Sequence, residues 1–112
     1  NAISTAPIDI DTGAGSRPLA VVVESRGSAG YLRLYNEDGS ASVTVSDEIA
    51  GDIIVPVATT TGEITAISVF GNSFTAFWGA GLVAATSASK PGANARTVMT
   101  NLPRVYMLYV NA

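Results

Sequence analysis

The sequence predicts an all-β fold, an antiparallel β-sandwich with a jelly-roll-like pattern of about eight short strands and an N-terminal arm. Three observations predict it. Apolar and polar residues alternate with period two over short runs. Clusters of Gly, Pro, Asn and Asp punctuate those runs at short spacing. No segment sustains the 3.6-residue period of an amphipathic helix. At 112 residues the chain is one domain with room for a core, divided into an arm, residues 1–18, and a sandwich, residues 19–112.

The arm is rich in small and turn-forming residues. Within it Ile8 and Ile10 alternate with Asp9 and Asp11 after Pro7, which predicts a short edge strand. The isoleucines are expected to anchor the arm, with the aspartates facing water or a basic neighbour such as Arg96 or Arg104. Thr12 to Gly15 supplies a flexible corner. "LAVVVE", residues 19–24, is a continuous apolar run, as expected of a strand buried on both faces. "YLRLY", residues 31–35, puts Leu32 and Leu34 on one face and Tyr31, Arg33 and Tyr35 on the other. The latter face suits packing on another protein or stacking on a sugar ring.

"NEDG", residues 36–39, is a hairpin turn into a strand over residues 41–46. Ile53–Val57 follows, and its Pro56 favours an edge or a bulge. "TTTGE" turns into a strand over residues 64–70, and Gly71-Asn72 turns back into residues 73–78, which carry Phe74, Phe77 and Trp78. A shorter strand covers residues 82–86. Residues 87–96, "SASKPGANAR", read as an exposed loop or contact arm carrying Lys90, and Arg104–Val110 closes the chain. In that last strand Val105, Met107 and Tyr109 oppose Tyr106, Leu108 and Val110.

Composition narrows the function classes. Apolar residues make up 47% of the chain and charged residues 13%, against about a quarter charged in an average domain. So little charge implies that neighbouring subunits cover much of the surface; the alternative is a secreted or periplasmic module with a hydroxyl-rich exterior. The net charge of -3 divides into -6 over residues 1–63 and +3 over residues 64–112, an imbalance that either favours head-to-tail contact between copies or is cancelled where the fold interleaves the two halves. Three basic residues in the second half are too few for a nucleic-acid footprint. No apolar run approaches the ~20 residues of a membrane helix. The chain has no Cys and no His, which removes thiolate chemistry, the commonest general base and the commonest transition-metal ligand.

Two motifs suggest chemistry. Asp11-Thr12-Gly13 resembles the active-site triplet of retroviral-type aspartic proteases, where two such carboxylates share a proton. Only ten residues precede Asp11, however, and nothing in residues 82–112 supplies the family's second conserved segment, so the triplet reads as a contact segment. Asp9-x-Asp11-x-Gly13 resembles the start of a calcium loop, but position twelve falls on Ala20 where a bidentate acid is needed. Acids at Asp47, Glu48 and Asp52, with Asn36 or Asp38, leave room for an irregular calcium site, though solvated turn carboxylates are the favoured reading. Ser87 and Lys90 have the spacing of a serine–lysine pair, but Pro91 argues against the helix that pairing uses. No enzymatic activity and no cofactor are expected.

In size, composition and strand pattern the chain resembles the small all-β cement or decoration proteins of tailed double-stranded DNA bacteriophages. That resemblance implies a structural protein on the capsid exterior of a virion. It would bind the major capsid protein or other lattice subunits, often as a homo-oligomer. The expected contact residues are Ile8, Asp9, Ile10 and Asp11 in the arm, the Tyr31, Arg33 and Tyr35 face, and Lys90, Arg96 and Arg104. The alternatives are a carbohydrate-binding β-sandwich module, with Trp78 or the tyrosines as platform, and a pilus or surface-filament subunit that donates its N-terminal strand.

Overall fold

Alternating β-branched and aromatic side chains build the strands, and Gly and polar turns end them. In the computed structural model the described residues are 3–11, 17–37, 39, 43, 53–68, 82–90 and 96–110. They contain seven strands: β1 (Ile8–Asp11), β2 (Arg17–Glu24), β3 (Gly30–Tyr35), β4 (Ile53–Val57), β5 (Ile64–Ser68), β6 (Leu82–Ser87) and β7 (Arg104–Val110). One sheet has the order β1-β6-β3-β4 and the other β5-β2-β7. Every pairing is antiparallel. The all-β sandwich is therefore as the sequence predicts. The strands expected over residues 41–46 and 73–78 fall outside the described residues, apart from Val43, and the jelly-roll winding depends on them.

One core lies between the sheets. Val21 and Val23 of β2 and Val105 of β7 meet Leu32 and Leu34 of β3, Ile53, Val55 and Val57 of β4, and Leu82 and Ala84 of β6. These are alternate positions on each strand, so period two in the sequence becomes a single apolar layer in the fold. β4 ends its sheet among the described strands, and Pro56, which has no N–H to donate to a further strand, is exposed there.

The N-terminal segment belongs to this chain's own sandwich. β1 pairs with β6, Ile8 opposite Ala84 and Asp9 opposite Val83, with a register break before Asp11 meets Leu82. Upstream, Ile3 is buried in the core; its carbonyl accepts from the Thr86 hydroxyl at 2.5 Å, and Ser4 O accepts from Thr86 N at 2.9 Å. Ile8 and Ile10 pack against the same core, as their alternation predicts, and Asp9 is exposed.

β3 and β6 are buried on both faces. A second apolar cluster, Tyr35, Val43, Val83 and Ala85, covers the outer side of their sheet. Size complementarity makes this possible, because Arg33 lies opposite Ala85 and Tyr35 opposite Val83. The start of β3 is equally crowded. A Cβ on Gly30 would lie 2.6 Å from the Ser87 carbonyl oxygen and 2.7 Å from Met99 Sδ. Gly30→Ala is expected to cost about 2 kcal/mol through overpacking against backbone that cannot yield. The urea midpoint would read this, and an unchanged midpoint would mean that β3 and β6 can separate freely.

Candidate contact surface

The expected contact residues divide into two groups. Ile8 and Ile10 are half-buried, Asp9, Lys90 and Arg104 are exposed, and Tyr31 is half-buried. Asp11 closes β1 opposite Leu82, with its side chain outside the described residues. Arg33 and Tyr35 differ from the expected exposure: both are 0% exposed, so of the Tyr31, Arg33 and Tyr35 face only Tyr31 reaches the surface of the chain. Arg96 differs likewise, being 4% exposed. Trp78, the other platform candidate, falls outside the described residues.

Arg96 is a junction between three segments. Its Nε donates to Thr5 O at 2.9 Å, its Nη1 to the Tyr35 hydroxyl at 3.4 Å and its Nη2 to Val43 O at 3.5 Å. The guanidinium carbon lies 5.9 Å from the Tyr35 ring centroid, a cation–π distance. The arm thus meets Arg96 through the Thr5 backbone carbonyl. Arg33 Nη2 donates to Ser89 O at 2.9 Å and Lys90 O at 3.1 Å, pinning the loop that follows β6. Burial pushes the Arg33 guanidinium below its ordinary value; Tyr35 opposes that shift and Arg96 adds to it.

That loop is less free than its composition suggests. Ser87 is buried at the end of β6, its hydroxyl 2.7 Å from that of Ser89 and accepting from Thr97 N at 3.0 Å. These bonds close a turn, which is a structural use of the serine noted beside Lys90. Residues 91–95 lie outside the described residues, as do Asp38, Asp47, Glu48 and Asp52 of the calcium reading. Among the described residues no group of three His, Cys, Asp or Glu side chains converges on a metal position.

The surface the sequence did not flag is the outer face of the β5-β2-β7 sheet. Inward positions Val21 and Val23 fill the core, so Ala20, Val22 and Glu24 point outward. The register aligns Val22 with Ala66 on β5 and Tyr106 on β7, Ala20 with Leu108, and Glu24 with Ile64 and Arg104. Tyr106 and Leu108 are each 54% exposed and Ile64 61%. β2 was expected to be buried on both faces; the correction is that its outer residues are only half-buried. The signal was present in the unbroken "AVVV" of residues 20–23, which is more apolar than a strand with one wet face requires.

A groove of about 320 Å³ opens where the β1 and β7 sides of the two sheets face each other. Ile3, Ile8, Ile10, Val105, Met107 and Tyr109 line it, with Asp9 at its margin. The Tyr109 hydroxyl donates to Ile10 O at 3.2 Å and links the sheets there. Comparison with protein-family models, curated proteins and solved structures finds no match.

Proposed function

We propose that this protein is a non-enzymatic structural subunit that binds the outer surface of a virus capsid lattice and stabilises it as a cement or decoration protein. The observation that carries the reading is the apolar, exposed outer face of the β5-β2-β7 sheet, with Ile64, Tyr106 and Leu108 open to solvent. Contiguous apolar patches on a small domain mark interaction sites, because leaving them wet forfeits the hydrophobic free energy of covering them. The low content of charged side chains, 13%, supports the same reading. The partners are the major capsid protein or other lattice subunits, and the place of action is the capsid exterior.

The test is co-sedimentation of the purified protein with expanded, emptied shells of the cognate capsid. Saturable binding in a fixed ratio to capsid subunits, together with a raised melting temperature of the shell, is the expected result. A protein that stays in the supernatant at physiological salt and leaves shell melting unchanged would overturn the proposal.

A further inference from the structure

We infer that the outer face of the β5-β2-β7 sheet pairs with the same face of a second copy, about a two-fold axis running along the strands midway between β2 and β7. The inference rests on reading that face as a contact surface and names what covers it. Its first support is β2 itself, which is apolar on both sides while one chain fully buries only the inner side.

The second support is self-complementarity of charge and size. The described outward side chains of β2 and β7 include one acid and one base, Glu24 and Arg104, directly opposite each other in the β2–β7 register. A two-fold axis in the interface plane, parallel to the strands, exchanges the positions of β2 and β7. It lays Glu24 over Arg104 of the second copy and Arg104 over Glu24 of that copy. The same operation sets Val22 against Tyr106 and Ala20 against Leu108, a smaller side chain against a larger one in both rows. An axis across the strands would instead press the charged row onto the Ala20 and Leu108 row, desolvating charges without partners. Aligned sheets packed about 10 Å apart are a standard arrangement for two such faces.

The footprint is modest. About this axis only β2 and β7 overlap, and two strands about 4.8 Å apart and some five residues long present only about 200 Å² per copy, below the roughly 800 Å² of a standard interface. The pair is therefore a weak one, of the kind that a lattice holding both copies would reinforce.

Sedimentation over a concentration series tests this, using the whole chain. The wild type is expected to show a concentration-dependent monomer–dimer equilibrium. Glu24→Arg and Arg104→Glu should each weaken the dimer at least about tenfold, since each sets like charges against each other. Mixed in equal amounts, the two variants should pair again, because every cation of one then faces an acid of the other. A purely intrachain role for Glu24 and Arg104 could not give that rescue. Circular dichroism confirms that both variants fold; should either fail to, Glu24→Gln and Arg104→Gln replace them, each expected to weaken the dimer less and to make it insensitive to salt. A wild type that remains monomeric throughout, or a mixture that behaves like its components, overturns the inference. If such a monomer still binds capsid shells, the lattice function stands and only the self-pairing fails.

Discussion

Ile3→Ala is expected to lower the stability of the domain by about 3 kcal/mol, within the range of isoleucine truncations in closed cores. For a domain of this size that is a fall in Tm of roughly 15 °C. The expectation follows from where the side chain sits and what fixes it. Ile3 is buried in the main core beside β6. Its backbone cannot follow a shrinking side chain, because the Ile3 and Ser4 carbonyls are both held by Thr86. The adjoining groove of about 320 Å³ already leaves this part of the core incompletely filled, so a new void has little to collapse into it. Ala6→Ser, at an exposed position of the same segment, should stay within about 0.5 kcal/mol. Urea midpoints for the two variants make the comparison. Equal, small shifts would mean that the N-terminal segment lies free of its own sandwich in solution. Removal of residues 1–11 should be more severe, since it also strips the pairing partner from Leu82, Val83 and Ala84 of β6 and exposes that apolar stretch of edge to aggregation.

The sequence made the strands legible and misassigned which faces are covered, for one physical reason. Alternation in "YLRLY" correctly separates Leu32 and Leu34 from Tyr31, Arg33 and Tyr35, because it reports the pleat. It carries no information about what arrives from elsewhere in the chain. Val43 and Arg96, which cover Tyr35, come from well downstream, and a strand-centre arginine ordinarily reads as surface because guanidiniums are seldom fully buried. Two residues hinted otherwise. Ala84 and Ala85 make β6 apolar on both sides, and Ala85 is small enough to accept Arg33 opposite it. In β2 the inference from "AVVV" to burial on both faces was sound as physics, but the outward side chains Ala20 and Val22 are only half-buried. The misplaced expectation is thus itself informative, since it locates the surface on which association would complete the burial that the sequence encodes.

The two buried arginines should respond very differently to the same substitution. Arg96→Met is expected to cost about 3 kcal/mol, whereas Arg33→Met should cost about 1 kcal/mol or less. Arg96 serves acceptors in three segments, Thr5 O, the Tyr35 hydroxyl and Val43 O, and an acceptor left buried without its donor loses about 1–3 kcal/mol. The bond to Thr5 O at 2.9 Å is the shortest and is part-buried, while the two longer bonds are fully buried. Arg33 donates to Ser89 O and Lys90 O, in a segment where Lys90 is exposed and water can take over. Methionine there also removes a charge whose burial is costly enough to lower its pKa. Because Arg96 adds to that lowering, the guanidiniums repel each other, and removing Arg33 relieves repulsion only while Arg96 is present. The double variant should therefore lose more stability than the two single losses together, a coupling that a double-mutant cycle of urea midpoints would read directly. Equal single losses, or a double loss smaller than their sum, would mean that Arg33 and Arg96 act as one cooperative clamp, with no repulsion for either to relieve.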